Sequence, residues 1–435
     1  MTEYVERLWR PEDSGLGGGL SRRDREPGRY LAYVPDELGT ELPHLGTGAE
    51  EAAADALAVL ARADERIGER GRFLNHLLIR SESISSSWIE GNRVTPKKLA
   101  VAELFQQGPA VALEVVANVR ATEDAVAALA DRSRPVTVED VERLQHVIEP
   151  SLEPGIRREQ NWVGGSGLSP LRADFVPPPE SEVPRLLEDL SRFVTQTHGN
   201  PVVRAAIAHA QFETIHPFID GNGRIGRALI HTVLRRTDAL RNTLIPISMV
   251  FAGDTNAYLA GLMAFRGAPP DLDAWVTAFA EATERAAANA VRLADEVARA
   301  DGIVHEELIA HRREQGRSPV EPRRDALTRR ILGILASEPV LTAAAVQRRL
   351  GGSPAAIHRA LTELADAGIL KRTKNQKGRL VCWSADRYLG LVTLTERSNR
   401  AGGIDTAVRA PRLGPAVPDP RSAGILRPGR TGSAS

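Results

Sequence analysis

Along most of the chain, apolar residues recur at helical intervals. The stretch "ADALAVLARADERI" places Leu57, Leu60 and Ile67 near one face, and "FLNHLLIRSESISSSWIE" continues the pattern. "VTPKKLAVAELF" opens with Thr95 as an N-cap and Pro96 at the first helical position. "ALEVVANVRATEDAVAALA" predicts a further alanine-rich helix. "TVEDVERLQHVI" carries Thr137 three residues before Asp140, a variant of the capping box. The pattern breaks at "NWVGGSGLSPLRADFVPPPES" (161–181), where Gly, Pro and isolated apolar residues predict a hairpin or extended loop. Helices resume at "EVPRLLEDLSRFV" and at "NPVVRAAIAHAQFETI", which Asn200 caps and Pro201 opens. They continue through "IGRALIHTVLRR", "TNAYLAGLMAF" and a long alanine-rich helix over 272–300.

These textures divide the chain. Residues 1–48 form an N-terminal arm, partly mobile, and 49–110 an N-terminal helical region. Residues 111–300 form a central helical domain, and 301–324 a polar linker. A second compact unit covers 325–392, and 393–435 is a Pro/Gly/Arg/Ala-rich tail expected to be disordered.

Composition sharpens this picture only slightly. A chain of 435 residues suggests about two to four domains. Its 42% hydrophobic and 26% charged content is that of a globular protein with a core. Formal net charge is zero, so a nucleic acid or membrane partner would have to be met by a local patch. The lone Cys382 excludes an internal disulfide framework and fits a reducing compartment. "MTEYVERLWR" has no signal-peptide core, and no apolar run is long enough to span a bilayer. The expectation is a cytoplasmic protein with no membrane partner.

The densest chemistry lies in "HPFIDGNGRIGR", His216 to Arg227. Gly221 and Gly223 allow backbone to approach a ligand closely. A helix starts directly after them, and helix N-termini suit phosphate. Arg224 and Arg227, one turn apart, add forked donors for phosphate oxygens. Asp220 is the only acid in this segment and is suited to Mg²⁺, which takes one or two carboxylates plus substrate phosphates. His216 is the side chain here suited to general-base work near neutral pH. A second segment, "SISSSWIEGN", ends a helix with an acid: Ser86 and Glu90 share a face, and Gly91 is a ready stop. A carboxylate at a helix C-terminus is locally unfavourable by a few tenths of a kcal/mol, so Glu90 needs a partner elsewhere.

"HPFIDGNGRIGR" matches the Fic signature His-Pro-Phe-x-Asp-Gly-Asn-Gly-Arg-x-x-Arg without departure, and resemblance extends over about residues 30–280. "EPGIRREQNWVGG" and "FVPPPESEVPRLLEDL" resemble the Fic flap region, and "SSSWIEGNRVT" resembles its inhibitory helix. The resemblance implies a mainly α fold: a Fic-type helical bundle with a β-hairpin flap. It also implies transfer of AMP from ATP to a Ser, Thr or Tyr hydroxyl of a target protein, with pyrophosphate leaving. His216 would take the hydroxyl proton and Asp220 would hold Mg²⁺. Asn222 and the backbone at Gly221 and Gly223 would bind phosphates; Arg224 would contact the β-phosphate and Arg227 the γ-phosphate. Tyr258 resembles a tyrosine near the nucleotide base. Ser86 and Glu90 would hold the enzyme off by occupying Arg227. The flap would hold an extended target segment through backbone hydrogen bonds. Self-modification and a homodimer are compatible with the family. Transfer of UMP or another phosphate-containing group, and removal of AMP, are alternatives on the same fold.

Residues 325–392 read as three helices and two short strands, an order resembling a winged helix-turn-helix. Lys371 to Arg379 contains basic residues and no acid, so a wing there is able to touch phosphates. The third helix offers Ala355, Ala356, His358, Arg359 and Thr362, few of them suited to base edges. DNA binding and protein docking are the two readings of this unit. A DNA-binding regulator that uses the Fic domain as a nucleotide sensor is the alternative to an enzyme.

Overall fold

The computed structural model describes residues 3–10, 26–68, 72–165, 169–374 and 381–391. The chain opens with two antiparallel strands, β1 (Glu3–Trp9) and β2 (Gly28–Val34), with Tyr4 opposite Tyr33 and Trp9 opposite Gly28. A helical body follows: α1 (Thr47–Gly68), α2 (Arg72–Ile89), α3 (Pro96–Phe105), α4 (Ala110–Ala127), α5 (Val138–Ile148), α6 (Val183–Gln196), α7 (Pro201–Ile215), α8 (Asn222–Arg236), α9 (Ile247–Gly253), α10 (Thr255–Phe265) and α11 (Leu272–Glu314). The capping signals in the sequence operate as expected. The Thr95 side chain accepts from Lys98 N, Asn200 from Val202 N, and Thr137 with Asp140 completes a capping box.

The centre of the body is α7, buried from Val202 to Ile215, with α8 packed against it. The polar residues of α7, Arg204, His209, Gln211 and Glu213, are buried along with the apolar ones, so the helix lies inside the core. Around it, α1 and α11 run alongside each other, and Trp275 on α11 donates to the Ala206 carbonyl (2.9 Å). Among the described residues no single helix is long and apolar enough to cross a membrane.

Three expectations need revision. The N-terminal arm is not simply loose: its ends are β1 and β2, and their inner face packs on the flap. Trp9 meets Trp162 edge-on (5.5 Å), Tyr33 meets Phe175 (5.8 Å), and Tyr33 N donates to Val176 O (2.9 Å). The glycine-rich segment 11–25 and the tail 392–435 lie outside the described residues. The flap is a single bridge between Val163 and Phe175 plus a 3₁₀ turn at Pro170–Arg172, with its tip (166–168) outside the described residues.

The polar linker is mostly helix, since α11 continues to Glu314. Val304 and Leu308 keep the buried stripe going. The polar positions that suggested a linker are partners of the C-terminal unit. Asp301 accepts from Tyr388 Oη (2.5 Å), Glu307 pairs with Arg387 (2.6 Å), and Arg312 pairs with Glu363 (2.5 Å).

That unit contains α12 (Leu327–Leu332), β3 (Val340–Leu341), α13 (Ala343–Leu350), α14 (Pro354–Asp366), β4 (Lys371–Lys374) and β5 (Val381–Ser384). Its sheet has order β3-β5-β4, one short strand more than the sequence suggested; the wing tip, 375–380, is outside the described residues. It docks on α2 and α3. Lys97 reaches Asp386 (2.9 Å), Ala100 packs with Val340, Cys382 and Leu389, and Arg80 on α2 donates to Ser337 O (2.5 Å).

Candidate active site

Helix α7 ends at His216, whose backbone is left-handed (φ 49°), an unusual conformation for a residue with a Cβ. It is held there from outside. The His216 carbonyl accepts from Arg157 Nε (2.9 Å) and Asn161 Nδ2 (3.2 Å), and Pro217 cannot continue the helix. The loop that follows is wound around Asn222. Its side-chain oxygen accepts from Phe218 N (2.9 Å), and its amide donates back to Phe218 O (2.8 Å). Buried Phe218 pins the loop from below. The Asn222 side chain therefore shapes the loop through both of its contacts with Phe218. Gly221, at φ 87°, turns the chain into α8.

Sequence spacing placed one acid here; the fold gathers four. Asp220 accepts from Gly221 N (2.5 Å) and Arg224 Nη2 (3.2 Å). Glu149, at the end of α5, meets the same Nη2. Glu213 on α7 and Glu90, in the turn directly after α2, both face Arg227. Glu90 Oε1 takes a hydrogen bond from Arg227 Nη2 (2.7 Å), while Ser86 takes Nε on its hydroxyl (2.8 Å) and Nη2 on its carbonyl (2.9 Å). Gly223 has a part in this pairing, since a Cβ there would lie 2.0 Å from Glu90 Oε1. The glycine that was expected to admit a phosphate admits the Glu90 carboxylate onto the first turn of α8, where an anion is favoured.

Burial opposes the charge on Arg227, but Glu90, Tyr258 and Glu213 outweigh it and raise the guanidinium further above its ordinary range. Burial pushes Glu213 up to about 7. It pushes His216 down to about 3, helped by Arg266 and Arg157, so the imidazole is neutral at pH 7. A neutral imidazole can accept a proton.

Tyr258 stands elsewhere than expected. It is 5% exposed, its hydroxyl meets His209 Nε2 (2.9 Å) and its ring stacks on Phe251 (4.4 Å). The inward face of α10, with Gly261, Leu262 and Phe265, carries it into an aromatic core beneath Arg227, not into an open pocket for a base.

Sequence reasoning missed Arg157, Asn161, Glu149 and Glu213. Arg157 is the hinge post of the site: besides the His216 carbonyl it binds Pro178 O (2.5 Å) and Glu159 O (3.0 Å), tying α7 to the flap. Arg266 adds a second tie, lying over Phe175 (4.1 Å) while its Nε reaches Thr214 Oγ1 (3.1 Å). The signal for Arg157 and Asn161 was the polar cluster "RREQN" just before the flap, which only the fold joins to His216.

The buried histidines set a pH dependence of stability. Burial, then Arg227, holds His209 near 3, as burial holds His216, against 6.5 when unfolded. Below pH 6.5 the unfolded chain binds more protons at both, so their stabilisation is lost as pH falls from 6.5 toward 3. Glu213, raised from 4.5 to about 7, acts the opposite way between those values and offsets one of the two. The melting temperature should fall between pH 7 and pH 5; a flat or rising value would contradict the neutral buried imidazoles.

Known protein families resemble the chain in two regions. Residues 135–234 match the model of the Fic/DOC family, and residues 324–371 that of the winged helix-turn-helix DNA-binding family. The chain is 34% identical over 108 residues to proteins named protein adenylyltransferase Fic in Drosophila yakuba and Drosophila ananassae, covering 23% of this chain. It spans 20% of the length of those relatives. A crystal structure of a Fic family protein from Desulfovibrio desulfuricans aligns over 80% of this chain and 98% of its own, with 20% identity and a TM-score of 0.46. With its histidine, arginines and glycine-started helix in one motif, the chain carries a Fic/DOC domain, and behind it a winged helix-turn-helix.

Proposed function

We propose that this site transfers AMP from ATP to a hydroxyl side chain of a target protein and that Glu90 restrains it. The observation that carries the reading is the seating of Glu90 on Arg227 and Gly223 at the start of α8, directly beside the His216 loop. A carboxylate there occupies the place a terminal phosphate needs. In the reaction, neutral His216 takes the proton of the acceptor hydroxyl as its oxygen attacks the α-phosphorus. The bond to the β-phosphate oxygen breaks and pyrophosphate leaves. The first turn of α8, Arg224 and Arg227 hold the phosphates, so catalysis is positioning plus charge stabilisation.

Asp220 fits a Mg²⁺ ligand: its side chain is 23% exposed and lies against the phosphate-binding end of α8. Mg²⁺ held by Asp220 would neutralise phosphate charge. Asp220→Ala should therefore lose both activity and its Mg²⁺ dependence. A variant whose rate still rises normally with Mg²⁺ would place the metal elsewhere.

Incubation with Mg²⁺ and each α-labelled nucleoside triphosphate, followed by mass spectrometry of modified side chains, tests the reading. AMP on Ser, Thr or Tyr is the expected result. Labelling from another nucleotide, or removal of AMP from a modified protein, would replace it.

A second reading concerns the winged helix. Arg348, Arg349, Arg359, Lys371 and Arg372 are all exposed on α13, α14 and β4, basic residues concentrated in this unit of a chain with no net charge, though Arg349 also pairs with Glu338. Such residues suit a nucleic acid backbone. Binding of duplex DNA by the full chain that weakens steeply with salt supports it; salt-independent or absent binding favours protein docking.

A further inference from the structure

Arg224 and Arg227 are one turn apart on α8, and each meets a carboxylate, but they are engaged differently. Arg227 is occupied on two sides: Ser86 takes Nε, and Ser86 and Glu90 share Nη2. Arg224 is gripped at one corner. Its Nη2 meets Glu149 Oε1 and Asp220 Oδ1, while Nε and Nη1, both buried, have no partner among the described residues. The side chain is only 3% exposed. Buried donors left without a partner are unfavourable, so they stand ready for acceptors that arrive with a ligand.

Glu149 is not a surface acid that happens to be near. It closes α5, its side chain is 14% exposed, and its Cγ lies 3.6 Å from where a Cβ on Gly221 would be. It therefore lies beside the loop that starts α8 and holds the guanidinium at Nη2. Burial raises its carboxyl, Arg224 opposes the rise, and Asp220 and Glu114 add to it.

We propose that Glu149 is a positioning residue: by holding Nη2 it aims Nε and Nη1 of Arg224 at the leaving pyrophosphate. Glu90 and Glu149 then act with opposite sign on neighbouring arginines, one occupying its partner and the other presenting it. This inference rests on the AMP-transfer reading above.

The test uses the full chain carrying Glu90→Gly, with Glu149→Ala or Glu149→Gln added. Rates at varied ATP separate kcat from KM, thermal melting reports folding, and calorimetry compares ADP with AMP. Glu149→Ala should lower kcat on the order of ten- to a hundredfold, the scale of a misplaced catalytic contact, with KM for ATP changed less. Glu149→Gln, which keeps an acceptor for Nη2, should recover most of that loss. The advantage of ADP over AMP in binding should shrink in the alanine variant. An alanine variant as fast as its parent overturns the proposal. A faster one overturns it too and makes Glu149 a second restraint, and equal losses in Ala and Gln overturn positioning through the Nη2 contact, assigning the effect to charge alone. If the Glu90→Gly parent transfers no AMP, the AMP-transfer reading fails by itself. The ADP-against-AMP comparison then decides the role of Glu149: an unchanged advantage overturns it.

Discussion

Glu90→Gly is expected to raise AMP transfer, including self-modification, at least about tenfold. The carboxylate and guanidinium are 2.7 Å apart, with side chains 9% and 2% exposed. Water cannot screen such a pair well, so a competing phosphate must displace Glu90 to reach Arg227. An off-state held by a few kcal/mol corresponds to a rate effect of roughly ten- to a thousandfold. Removing Glu90 also takes from buried Arg227 its hydrogen-bonded carboxylate, so the variant should melt lower without nucleotide and gain more from added ATP than the wild type. Arg227→Ala should not mimic it, because that change removes the phosphate ligand together with the lock. Side-by-side initial rates with labelled ATP are the check, and a Glu90→Gly protein no faster than wild type means Glu90 is not a restraint.

His216→Ala is expected to lower transfer by about 10²–10⁴, the usual contribution of a general base, while ATP affinity stays within a few-fold. The imidazole is neutral and buried, and Arg224 and Arg227, the donors proposed for the phosphates, lie on α8. The loop should survive the change, because Arg157 and Asn161 hold the backbone carbonyl of residue 216 rather than its ring. Transfer at the wild-type rate would remove His216 from the proton step. An ATP affinity that collapses would mean the ring supports the loop.

Local chemistry was legible in the sequence where the interacting residues are close in the chain. The caps at Thr95, Thr137 and Asn200 act within three residues, and the His216–Arg227 motif carries its own turn and helix. The misfit of Glu90 at the wrong end of α2 was also readable, since a helix-end acid lacks a local reason; its partner lies 137 residues away. What could not be read were contacts fixed only by packing. Glu149 lies 75 residues from Arg224, and nothing around it marks it out from other surface-type glutamates. Tyr258 was placed by resemblance near a base, but the inward face of α10 and the stack on Phe251 decide otherwise. The run 301–314 looked like a linker because its charges outnumber its apolar residues. Three of those charges, Asp301, Glu307 and Arg312, meet Tyr388, Arg387 and Glu363, and the helix continues. The hairpin of β1 and β2 was hidden by exposed Tyr4, Leu8 and Leu31, which blur the alternation of its strands.

The most direct test is parallel labelling of full-length Glu90→Gly protein with Mg²⁺ and ATP carrying the label at the α- or the γ-phosphate, with the chain itself as acceptor. The AMP-transfer account predicts that α-label stays on the denatured protein, that γ-label does not, and that adding His216→Ala removes the signal. Label retained from the γ-phosphate, or from neither position, would contradict it.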